Sequence, residues 1–89
     1  MKFESIHNHY EQLVVDHLME RLAPELGITD EDQLADIACL ALNNLPPRYI
    51  RHDVDMVFFL TTSDREQIQA MVTRETRQAA DKVMAGRHD

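Results

Sequence analysis

Residues 34–47 read Leu-Ala-Asp-Ile-Ala-Cys-Leu-Ala-Leu-Asn-Asn-Leu-Pro-Pro, a largely apolar run that two prolines close. Few polar side chains interrupt it, so the pattern predicts a helix that is enclosed on most sides and forms the central element. The helix is predicted to stop at the prolines, because the residue before a proline is pushed towards extended conformations. Residues 46–53 are therefore predicted to form a stiff connector. Cys39 is predicted to be packed among its apolar neighbours.

The segment before this run predicts one amphipathic helix. Apolar residues recur three or four positions apart over about residues 4–23, and His17 lies on or beside the stripe that they form. Pro24 and Gly27 follow, and they are predicted to end the helix, because proline removes a helix hydrogen bond and glycine accepts a positive φ. We therefore expect the first helix to run from about residue 4 to residue 23.

Two capping signals predict where the other helices begin. Thr29 followed by Asp32 resembles a capping box, which would start the second helix at residue 30. Ser63 followed by Glu66 gives the same signal for a third helix over about residues 63–85. Together with the first helix, these signals predict an all-α fold with three main helices.

The segment over about residues 54–60 is the exception to the helical pattern. Val54, Met56, Phe58 and Leu60 alternate with the side chains between them, which is typical of a short extended strand. Such a lone strand either stays irregular or pairs with its own copy across a two-fold axis, which would satisfy its main-chain groups. The sequence therefore predicts a two-fold homodimer, and a chain this short gains core from a partner subunit.

Composition and charge bound the class of protein. The chain has 89 residues, 44% of them hydrophobic and 28% charged, which is typical of one soluble globular domain over residues 1–89. Acidic residues outnumber basic ones 16 to 9, and the surplus lies in residues 1–36. Because this charge repels phosphate backbones and anionic lipids, we expect neither DNA nor a membrane as a partner, and we expect any anionic ligand in the second half. One cysteine and no apolar signal segment indicate the reducing cytoplasm.

The connector carries the residues best suited to binding a ligand. Arg48, Tyr49 and Arg51 follow the two prolines, so two guanidinium groups and an aromatic ring are displayed on a backbone with little freedom. Arginine forks match phosphate oxygens and the O6/N7 edge of guanine, and tyrosine can stack on a base, so this pattern fits an anionic nucleotide. The alternative is that the arginines neutralise a helix end and pair with Asp53 and Asp55, while Tyr49 is simply packed.

Other chemistry is less well supported. Asp36 lies near the start of the apolar run, where it either caps or pairs with an arginine of a partner, or stays solvated. The histidines do not share a helix face with a second strong ligand, so no metal site is predicted. Cys39 is predicted to be buried without a base, and two glycines cannot build a phosphate-binding loop. We expect no catalytic residue, no metal and no cofactor.

Residues 34–49 resemble the signature of the ComFB family, which is named for late competence development. An acidic residue precedes an apolar helix, and Leu-Ala-Leu-Asn-Asn-Leu-Pro-Pro-Arg-Tyr closes it over residues 40–49. The segment at 8–14 and an amphipathic helix over 64–83 follow the family's order, so the resemblance covers nearly the whole chain. Members from Gram-positive bacteria carry cysteines just before the signature helix and bind zinc there, whereas residues 26–33 contain none. The resemblance therefore implies that the zinc site is absent.

The resemblance implies a small helical homodimer without catalytic activity, and in cyanobacterial relatives a receptor for cyclic dinucleotide second messengers. Asp36, Asn43, Arg48 and Tyr49 match the motif, and together with Arg51 they are the candidate ligand-binding residues. Two functions stay open. One is a sensor whose dimer binds cyclic di-GMP or cyclic di-AMP through the connector. The other is a ligand-free dimeric adaptor of a bacterial competence or surface-behaviour pathway, whose acidic first helix contacts a basic protein partner.

Overall fold

Three main helical segments, a short 3-10 helix and a small sheet form the fold in the computed structural model, which describes residues 2–52, 54 and 60–86. The prediction of a mostly helical chain with three main helices is confirmed, and the sheet is an addition to it. In chain order the elements are a 3-10 helix Phe3–Ser5, strand β1 His7–Asn8, a first helical segment made of Tyr10–His17, Leu18–Leu22 and Ala23–Leu26, a second helix Glu31–Asn43, strand β2 Tyr49–Ile50 and a last helix Thr62–Met84.

The first helical segment passes through Pro24, so the prediction that this proline ends the helix was wrong. Its middle part, Leu18–Leu22, is a π-helix, and the N–H of Ala23 donates to the carbonyl five residues back. A proline ring normally clashes with the carbonyl four residues before it, and a wider turn at that point relieves the clash. Gly27 ends the segment as predicted, with a left-handed φ of 70° that glycine adopts without strain.

The two capping signals read from the sequence were each displaced by one or two residues. Asp30, not Thr29, caps the second helix, and its Oδ1 accepts from the N–H groups two and three residues on, at 2.8 and 3.4 Å. Thr61, not Ser63, caps the last helix in a capping box with Asp64, and both hydrogen bonds measure 3.0 Å. Several residues at each site could cap, and the one whose backbone is extended where the chain enters the helix does so.

The core lies where the second helix and the first helical segment pack against the last helix. The second and last helices make the most extensive contact between elements. Small residues on both of them let their backbones approach closely, and branched side chains fill the space between them. The buried residues that all three segments contribute include Val14, Leu18, Ile37, Ala41, Val72, Ala79, Ala80 and Val83.

The two-stranded sheet ties the start of the chain to the connector. Strands β1 and β2 are antiparallel, with His7 opposite Ile50 and Asn8 opposite Tyr49. Because β1 takes up these residues, the first helix begins at Tyr10 and not near residue 4. Apart from residues 54 and 60, the predicted extended segment over about 54–60 lies outside the described residues, and the homodimer stays a prediction.

The second helix leaves one face uncovered in the described part of the chain. Ile37 and Ala41 are fully buried, whereas Ala35 and Cys39 are exposed. The prediction that Cys39 is packed was therefore wrong, because Cys39 lies with Ala35 on the exposed face of the helix. The other side chains of residues 33–42 are half-buried or buried, so the exposed face of the helix is narrow.

Candidate ligand-binding connector

The backbone of the connector is held at Arg48 by Asn8 and His9, which lie just before the first helical segment. The N–H of Arg48 donates to Oδ1 of Asn8 at 3.0 Å, and its carbonyl accepts from the N–H of His9 at 2.7 Å. The same Asn8 oxygen accepts from the N–H of Tyr10 at 3.2 Å. Both main-chain polar groups of Arg48 are thus bonded to a segment about 40 residues earlier in the chain.

The side chains that the sequence singled out on the connector point away from the core. Arg48, Tyr49 and Arg51 are all exposed, and Tyr49 exposes 66% of its surface. Tyr49 therefore does not pack within the described chain. Asp53 and Asp55, the acids with which the arginines were expected to pair in the alternative, lie outside the described residues. Hydrogen bonds and the sheet hold the backbone of Arg48 and Tyr49, and Arg51 directly follows the strand, which is an arrangement that suits a surface site for an anion.

The charge of Arg48 reaches the N-terminus of the last helix. The backbone N–H of Thr61 holds the pKa of the Asp64 carboxyl below its ordinary value, and the Thr61 hydroxyl and the positive charge of Arg48 lower it further. Arg48 therefore lies close enough to the start of the last helix to interact with Asp64. The N-terminus of a helix carries a partial positive charge, so an anion bound at Arg48 would also lie near the positive end of the last helix. The carboxylate of Asp64 opposes such an anion.

Asp36 and Asn43 lie on the second helix and not on the connector. Seven residues separate them, so they share a helix face and lie about 10 Å apart along the axis. Asp36 is half-buried, whereas Asn43 is exposed and its Nδ2 lies 3.8 Å from Sγ of Cys39. Asn43 is the last residue of the helix and leads into the connector, while Asp36 is two turns further from it.

Asn8 is the residue of this site that sequence reasoning missed. Its partner Arg48 is far away in the sequence, so no local spacing predicts the hydrogen bond between them. The only local signal is the position of an asparagine two residues before the first helix, where such side chains often accept from backbone N–H groups.

A wide groove of about 790 Å³ lies elsewhere, between the first helical segment and the last helix. Asp16, Glu20 and Glu25 line it with His17 and Arg21, and its carboxylates disfavour an anionic ligand. Burial, followed by the nearby charge of Arg21, holds the pKa of His17 below its ordinary value, and Glu25 partly opposes this shift. We therefore place the candidate anion site on the connector and not in this groove.

Two features of the described residues bear on other functions. No group of three or more histidine, cysteine, aspartate or glutamate side chains there could hold a metal ion. None of the helices in that part of the chain is both long and apolar enough to cross a membrane.

The fold and the connector together define a small helical protein that carries an exposed arginine and tyrosine directly after two prolines. The family model described as late competence development protein ComFB matches residues 7–87, and the chain belongs to this family. The family inferred from the Leu-Pro-Pro-Arg-Tyr motif is thus confirmed, and its description makes the chain a competence-related protein. No curated protein and no solved structure matches the chain significantly.

Proposed function

We propose that this chain is a non-enzymatic regulatory protein of the cytoplasm that binds a cyclic dinucleotide on its connector and acts as a homodimer. The observation that carries the proposal is the exposure of Arg48, Tyr49 and Arg51 on a connector whose backbone is held at Arg48 and in strand β2. Exposed arginines keep their donors available for a ligand, whereas arginines in buried ion pairs do not.

The chemistry of these side chains matches the two parts of a nucleotide. A guanidinium group donates two parallel hydrogen bonds to a phosphate or to the O6/N7 edge of guanine. An exposed tyrosine ring offers a face for stacking on a base. Pro46 and Pro47 restrict the chain just before these residues, which reduces the conformational freedom that binding would otherwise remove.

The homodimer is supported by apolar surface that the described chain leaves exposed. The second helix exposes Ala35 and Cys39 one turn apart. A chain of 89 residues also has a thin core, which a second subunit would extend. Sedimentation of the wild-type protein at micromolar concentration tests this part, and a stable monomer would contradict it.

Calorimetric titration of the folded wild-type protein with cyclic di-GMP and with cyclic di-AMP tests the ligand. We expect saturable heat with at least one of them and weaker binding as the salt concentration rises, because the contacts are charged. The matched control is the Arg48→Ala, Arg51→Ala double variant, which should give no saturable heat. A flat titration of the wild-type protein with both messengers would contradict the sensor.

The second candidate function, a ligand-free dimeric adaptor, is favoured by the surface of the first helical segment. Val15, Met19 and Leu26 are large apolar side chains exposed on this segment, and Glu11 and Glu20 are exposed beside them. An apolar stripe with acidic flanks suits a basic amphipathic partner. A flat titration with both messengers, together with salt-sensitive binding of a basic amphipathic helical peptide that Met19→Asp abolishes, would favour this candidate.

A further inference from the structure

The connector offers a single backbone donor where the candidate site begins. Pro46 and Pro47 have no N–H, so Arg48 carries the only backbone N–H among these three residues. That N–H donates to Oδ1 of Asn8 at 3.0 Å. The side-chain oxygen of Asn8 therefore accepts the single backbone hydrogen bond that residues 46–48 can donate.

Asn8 is placed to join two elements. It is 9% exposed, and its Oδ1 accepts both from Arg48 and from the N–H of Tyr10, which begins the first helical segment. Asn8 also pairs with Tyr49 in the two-stranded sheet, and the N–H of the next residue, His9, donates to the carbonyl of Arg48. The residues that display the arginine and the tyrosine are thus held by Asn8 and its neighbour.

We propose that Asn8 is the positioning residue of the connector, which fixes the backbone from which Arg48 and Tyr49 project. The proposal rests on the proposed function in that the projected groups would bind the cyclic dinucleotide. Asn8 itself acts through the backbone of Arg48. Without its oxygen, the Arg48 N–H would turn to water and the connector would sample more conformations, and ordering it again would weaken binding.

Amide hydrogen exchange on the ligand-free protein tests the positioning directly. In Asn8→Ala we expect the amides of Arg48 and Tyr10 to exchange at least about tenfold faster than in the wild type, while core amides keep their protection. Asn8→Asp keeps an acceptor oxygen, so both amides should exchange as slowly as in the wild type. Asn8→Ser keeps a cap for Tyr10 but is too short to reach Arg48 as well, so only the Arg48 amide should speed up. If Asn8→Ala does not fold, Asn8→Ser takes its place.

Titration with the cyclic dinucleotide that the wild type binds tests whether Asn8 acts through Arg48. We expect Asn8→Ala to weaken binding about fivefold, the worth of a typical net hydrogen bond, and to weaken it by a smaller factor in the Arg48→Ala background, where only the effect through Tyr49 remains. Gln12→Ala, which removes an exposed carboxamide from the first helical segment, is the matched control and should change neither measurement. Equal losses in both backgrounds would overturn the proposal.

The two measurements separate this inference from the proposed function. Unchanged exchange of the Arg48 amide in Asn8→Ala would refute the positioning role even if the wild type binds the ligand. If the wild type binds neither messenger, the proposed function fails, and the exchange of Arg48 alone decides whether Asn8 positions the connector.

Discussion

Removing the guanidinium of Arg48 or Arg51 should weaken ligand binding while leaving the fold intact. Both side chains are exposed, so their loss leaves no cavity, and exposed substitutions of this kind change stability by less than about 0.5 kcal/mol. The backbone of Arg48 keeps its bonds to Asn8 and His9, which do not depend on its side chain. The expected cost in binding is about 1–3 kcal/mol for each arginine, the worth of a good bidentate contact, or about 5- to 150-fold in affinity.

The assay combines thermal unfolding and calorimetric titration on the same preparations of Arg48→Ala and Arg51→Ala. Arg48→Lys is the matched control, because lysine keeps the charge but not the planar fork, and it should recover only part of the affinity. The pKa of Asp64 should rise in Arg48→Ala, since the positive charge of Arg48 helps to lower it. The reasoning is refuted if both alanine variants bind the messenger as well as the wild type. It is also refuted if they lose stability and dimerisation instead, as expected where the arginines only hold the structure together.

Three further predictions follow from the fold. Ile37→Ala should lower the free energy of unfolding in urea by about 2–5 kcal/mol, because Ile37 is fully buried, and a smaller loss would show that the core collapses into the gap. Asp30→Ala should cost about 1 kcal/mol and Thr29→Ala almost nothing, and equal effects would contradict the observed cap. The pKa of His17 is lowered in the folded state, so the stability that its neutral form contributes is present above pH 6.5 and is lost as the pH falls below that value. When the pH is lowered through this range, the melting temperature should therefore fall less in His17→Gln than in the wild type, and equal falls would contradict this role.

The sequence was most informative where interactions between near neighbours determine where a helix begins or ends. The last helix was expected over about residues 63–85 and covers Thr62–Met84, and Gly27 ends the first helical segment as expected. Hydrophobic spacing and the left-handed preference of glycine act over a few residues, so both can be read directly from the sequence. The Pro-Pro-Arg-Tyr string likewise led to the right family.

Local signals were less reliable where neighbouring residues compete for one role. Thr29 and Asp30 can both cap a helix, and the structure uses Asp30, whose Oδ1 accepts from two backbone N–H groups of the first turn. Pro24 should stop a helix, yet a π-turn and the packing of Leu18 and Leu22 into the core carry the segment past it. In these cases the energy differences between the local alternatives are small, and packing decides among them.

By itself, the sequence determined that this chain forms three helices, that a Pro-Pro connector follows the second, and that two arginines and a tyrosine come directly after it. Only the tertiary structure decided that Asn8 holds Arg48, that a short sheet delays the first helix to Tyr10, and that Cys39 is exposed. The physical reason is the range of the interactions. Spacing and backbone preference act between near neighbours, whereas burial and the hydrogen bond from Arg48 to Asn8 depend on where residues far apart in the chain meet in space.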